Sequence, residues 1–115
     1  MAEIQNRSAG RVLVITGSAV EAQDIAEMAA ELGLAAVAET RTAGPAIDIT
    51  IPFEVAVLGM KSDDPETTEL IEKLRNADTK LIWIDAAGKD HARPGDAQIE
   101  RPFDVVPFAQ VLGRG

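Results

Sequence analysis

Few residues in this chain of 115 could do chemistry, and their spacing limits what that chemistry can be. Asp63, Asp64 and Asp85 each follow an apolar run. If they converge they could hold a divalent cation, although no histidine or further dedicated carboxylate accompanies them. Asp64 can equally cap a helix, and Asp63 can simply be solvated. His91, in Lys89-Asp-His-Ala-Arg93, has the titration range of a pH sensor and the surroundings of a solvated loop residue. Gly17-Ser18 could present free N–H groups to an anion at a helix start, but the glycine spacing of a dinucleotide or phosphate loop is missing. No nucleophile–base pair or acid pair stands out, so an enzyme is not expected. No cofactor or metal is expected either.

Composition narrows the classes further. Apolar residues make up 46% and charged residues 26%, as in an ordinary globular domain. The length suits one domain with a real core. The absence of cysteine excludes disulfides, thiolate metal sites and thiol nucleophiles. A net charge of -8 repels a phosphate backbone, and three Phe with one Trp make no base-stacking platform. A basic protein surface is the better partner, and direct nucleic-acid binding is not expected. Residues 1–10 are polar and read as a disordered lead-in to a single domain over 11–115. No apolar run approaches membrane-spanning length, so no membrane partner is expected and a cytoplasmic location is.

The elements that must position these residues follow from the apolar pattern. Val55-Ala-Val-Leu58 is too short for a helix and reads as a central strand buried on both faces. Such strands deliver their last residues to the carboxyl edge, where ligands bind in open α/β sheets. The residue delivered here is Gly59. Residues 11–16 and 80–85 read as similar strands, residues 34–40 as a small alanine-rich edge strand, and Ile99 as part of a short fifth strand.

Ser18 with Glu21 spells a capping box. Ala22, Ile25, Ala29 and Leu32 form a core-facing stripe, Glu21, Asp24, Glu27 and Glu31 lie outside, and Gly33 stops the helix. A second helix follows Asp64-Pro65, with Leu70, Ile71 and Leu74 inward and a Glu69–Lys73 pair outward. Residues 41–52 suggest a short or distorted helix, residues 86–97 a breaker-rich loop, and Asp104 the cap of a last helix. Strand–helix alternation of this kind implies an α/β fold: a flavodoxin-like, five-stranded parallel sheet in order 2-1-3-4-5, with helices on both faces and the fourth helix shortened or missing.

Two stretches carry a resemblance. The strand of residues 11–17, Arg-Val-Leu-Val-Ile-Thr-Gly, is followed by a helix ending Glu31-Leu-Gly-Leu34, and Arg101-Pro-Phe-Asp104 follows the fifth strand. In this order and spacing the chain resembles the CheY-like receiver domains of bacterial response regulators over residues 11–112. The resemblance implies a site for phosphoryl transfer to an aspartate after the third strand. It needs a metal-holding acidic pair, a Ser or Thr, and a Lys. At the matching positions this chain carries Gly59 for the aspartate, Thr16 and Gly17 for the acidic pair, Asp85 for the hydroxyl and Arg101 for the lysine. Every one has changed.

Gly59 offers no nucleophilic oxygen, Thr16 at best one weak neutral ligand, and Asp85 repels a phosphoryl group. An Arg101–Asp85 ion pair would lock the site. The expectation is a phosphorylation-independent pseudo-receiver of a two-component signalling protein, acting through a protein partner or as a homodimer. The acidic stripe Glu21, Asp24, Glu27, Glu31 and the apolar last helix, with Val106, Phe108 and Val111, are the candidate interaction surfaces. Trp83 reads as core or rim packing. A different class of function is a small-ligand sensor using the crevice vacated at Gly59, with Ser18, Asp85 and Arg101 orienting a polar ligand.

Overall fold

The computed structural model describes residues 11–39, 53–59, 65–85, 93–101 and 104–112. Five parallel strands make one sheet: β1 (Arg11–Ile15), β2 (Ala35–Glu39), β3 (Val55–Leu58), β4 (Lys80–Ile84) and β5 (Ala97–Ile99). Their order is β2-β1-β3-β4-β5, the flavodoxin-like arrangement, with the alanine-rich β2 at one edge. Three helices are described: α1 (Ala19–Glu31), α2 (Pro65–Asn76) and α3 (Val105–Leu112). Among the described residues no helix lies between β4 and β5. The expected lead-in at 1–10, the distorted helix at 41–52, Asp63, Asp64 and His91 lie outside the described residues. No described helix is long and apolar enough to cross a membrane.

The unbroken apolar runs make sense because the sheet is covered on both sides. Strand side chains alternate between two cores. Val12, Val14, Val55, Val57, Ile82 and Ile84 meet α1 and α3 through Ala22, Ile25, Ala29 and Phe108. Leu13, Ile15, Ala56, Leu58, Leu81 and Trp83 meet α2 through Leu70, Ile71 and Leu74. A one-residue register slip would exchange the two sets, so the pairing Val12↔Val55↔Lys80 is strongly specified.

Local chemistry sets the helix ends. Ser18 accepts the Glu21 N–H at 3.3 Å and caps α1. Gly33 (φ +86°) ends it, with Leu34 N–H donating to the Ala29 carbonyl and Gly33 N–H to that of Ala30. Asp104 caps α3 by accepting the Val106 N–H at 3.1 Å. On α2, Lys73 and Glu69 pair at 3.6 Å on the exposed face.

Candidate functional site

The order reverses between β1 and β3, so the carboxyl ends of these two strands form the sheet's switch point. Register places Thr16, Gly59 and Ile84 at one level, just past Ile15↔Leu58↔Trp83. The Gly59 N–H donates to the Ile15 carbonyl at 2.8 Å, which extends the β1–β3 ladder to the edge. Each of the three follows a strand residue that faces α2, so by alternation all three lie on the α1/α3 side of the sheet.

Arg101 enters this edge from the β5–α3 connection. Its Nη1 donates to Asp85 Oδ2 at 2.6 Å, and its backbone N–H donates to Asp85 Oδ1 at 2.9 Å. Its Nη2 donates to Glu21 Oε1 at 2.7 Å, while Nε donates to Glu21 Oε2. One guanidinium therefore ties α1, the end of β4 and the end of β5 together with charge-assisted bonds, two of them a fork onto Glu21. The side chain remains 41% exposed, so solvent screens each pair. The bonds from Glu21 and Asp85 raise the Arg101 pKa further above its ordinary value. The Asp85 pKa is lowered, first by the Arg101 backbone N–H and then by its side chain.

Asp85 itself sits at φ +53°, an uncommon conformation for a residue with a side chain. Three contacts besides the guanidinium hold it there. Its N–H donates to the Ile99 carbonyl, its carbonyl accepts from Gln98 Nε2, and its carboxylate takes the Arg101 N–H. The Arg101–Asp85 pair expected from the sequence is thus present.

Three expectations are corrected. The space expected at Gly59 is filled: a Cβ there would stand 3.0 Å from Ile84 Cδ1, 3.2 Å from Arg101 Nη2 and 3.4 Å from Thr16 Cγ2. Among the described residues, the absent side chain of Gly59 therefore leaves no open space of its own for a ligand. Glu21 is not a free member of the acidic face but the partner of Arg101. The reciprocal half of its capping box is absent, because the Ser18 N–H goes to Thr16 Oγ1 at 3.2 Å instead. Phe108 is fully buried between the sheet and α1, and Val111 packs half-buried on the same core, so of the three named α3 residues only Val106 (59% exposed) faces outward.

The remaining candidates fall into place around the clamp. Thr16 is buried, and its hydroxyl is used locally, donating to the Ser18 carbonyl at 2.9 Å. Gly17 is exposed, with open space where a Cβ would go. Asp24, Glu27 and Glu31 are exposed along α1. Among the described residues no group of three His, Cys, Asp or Glu side chains converges in a way that could hold a metal ion.

A second cluster was not foreseen. Asp96, just before β5, accepts a two-pronged bond from Arg75 of α2 at 2.9 Å on each oxygen. The same carboxylate takes the Trp83 indole N–H and the Arg93 backbone N–H, each at 2.9 Å. Its side chain is only 9% exposed. Burial alone would raise its pKa, but the Arg75 fork, the indole and the backbone N–H outweigh that and hold it at about 2.

No protein-family model matches the sequence, and no curated protein or solved structure matches it either.

Proposed function

We propose that this domain is a phosphorylation-independent pseudo-receiver that works by binding a protein partner or a second copy of itself, and not by catalysis. The observation that carries the reading is the occupied carboxyl edge. Where the resembled family keeps a phosphoacceptor, this chain has Gly59, and the volume above it holds the guanidinium of Arg101. The cation is already satisfied by Glu21 and Asp85, so an incoming phosphoryl group would have to displace two carboxylates to reach it. A magnesium ion fares no better, because Thr16 is buried and its hydroxyl committed.

With its edge closed in this way, the domain would have no phosphoryl-driven switch, and regulation would come through association. Magnesium titration followed by Trp83 fluorescence tests the first half, with no saturable change expected and a saturable one contradicting it. The melting temperature tests the second half. A rise with protein concentration supports self-association, and a rise on adding a partner supports hetero-association. A rise produced by a small polar metabolite alone would favour the sensor class instead.

A further inference from the structure

An open groove of about 290 Å³ runs beside the Arg101 clamp along the first three turns of α1. Its apolar part comes from Val20, Ile25 and Met28, and its polar part from Glu21, Asp24 and Arg101. Val20 is 73% exposed, more than any other large apolar side chain among the described residues. We infer that this groove seats an arginine or lysine side chain from a basic, apolar segment of a partner protein. The inference rests on the reading of the domain as a docking module and names the chemistry of its partner.

Size comes first. Pockets for cofactors and metabolites start at roughly 300 Å³ and run to 1,000 Å³. This groove is at the bottom of that range and open to solvent, which suits one or two side chains presented on a larger surface. Charge decides the sign. Glu21 and Arg101 satisfy each other, so Arg101 is not available to an anion. Among the described residues no ion pair or side-chain hydrogen bond is formed by Asp24, which leaves one negative charge on the rim.

Glu27 and Glu31 extend that negative line along the same exposed face, and the whole chain carries a net charge of -8. An acidic segment would therefore be repelled. A basic side chain matches both halves of the groove, its aliphatic stem lying on Val20 and Met28 while its charged head reaches Asp24. Met28 can adapt its shape to the stem. A flanking apolar residue of the same segment would cover Val20.

The test uses the full chain, isotope-labelled for amide NMR, titrated with a synthetic amphipathic peptide of arginine, leucine and alanine. Shifts confined to residues 18–28 and Arg101 are expected. Asp24→Lys should weaken binding about tenfold by replacing attraction with repulsion, and Val20→Ser about fivefold by removing apolar contact. Both should melt as the parent does. Glu72→Lys, on the exposed face of α2 across the sheet, should change little. Equal loss in Glu72→Lys and Asp24→Lys would reduce the effect to net charge and overturn the inference. So would shifts elsewhere, or spermine binding as tightly as the peptide. None of these outcomes touches the inertness toward phosphoryl donors, so the docking surface can fail while the wider reading stands.

Discussion

The guanidinium of Arg101 stands 3.2 Å from the point where a Cβ on Gly59 would lie. The two residues divide one volume between them: the strand gives up its side chain, and a cation from 42 residues further along the chain takes the room. Substitution at Gly59 therefore adds atoms to an occupied space. Gly59→Val should lower stability by about 1–3 kcal/mol, the usual cost of overpacking. A urea midpoint shift at unchanged slope would show it. A neutral or stabilising result would mean that the edge is looser than described.

The clamp itself is half exposed, and its contribution is correspondingly modest. Glu21→Gln keeps the Ser18 cap, because the cap uses the Glu21 backbone N–H. It removes the charge opposite Arg101, and a loss of about 1 kcal/mol is expected. The Arg101 Nε proton should exchange faster with solvent in the variant. High salt should narrow the difference between the two proteins.

The Asp96 cluster should dominate the acid response. Its folded-state pKa, about 2, lies below the ordinary 3.8, so its stabilisation is complete above pH 3.8 and is lost as pH falls toward 2. The difference corresponds to roughly 2 kcal/mol. Asp96→Ala would also leave Arg75 and the Trp83 indole without this acceptor, with a cost at pH 7 of about 3 kcal/mol. Trp83 fluorescence through urea unfolding reads both effects. Parent and variant should converge in stability as pH approaches 2.

The sheet was legible because a doubly covered parallel strand has one signature, an unbroken apolar run. Val55-Ala-Val-Leu58 and residues 81–84 both carry it. Gly33, Ser18 and Asp104 marked helix ends because each acts through its immediate neighbours. What escaped was long-range. Ser18 and Glu21 read as a closed local motif, while the Glu21 carboxylate reaches a partner 80 residues away.

Asp96 lay in a stretch of turn formers and carried no sign of Arg75 or Trp83. Phe108 looked surplus only because counting apolar residues on one helix ignores how much volume a ring must fill between α1 and the sheet. The pairing of Arg101 with Asp85 could be foreseen, since the two occupy neighbouring strand ends.

Asp78 is another position where local signals fell short. It ends α2 at φ +61°, with the Thr79 N–H donating to the Leu74 carbonyl and the Asp78 N–H to that of Arg75. This is the same closure that Gly33 gives α1, made by a residue that is strained there. Asp78→Gly should stabilise the domain by about 1 kcal/mol without altering partner binding. Thermal melting of the pair checks this, and a loss of stability would mean that the aspartate side chain makes a compensating contact.

The central claim is that the edge of this sheet takes up no phosphoryl group. The direct measurement is the intact mass of the purified chain after incubation with acetyl phosphate and magnesium. The mass should be unchanged for both the parent and Arg101→Ala, since removing the cation restores no acceptor at Gly59. A gain of one phosphoryl group on the parent chain, dependent on magnesium and lost with hydroxylamine, would contradict the account.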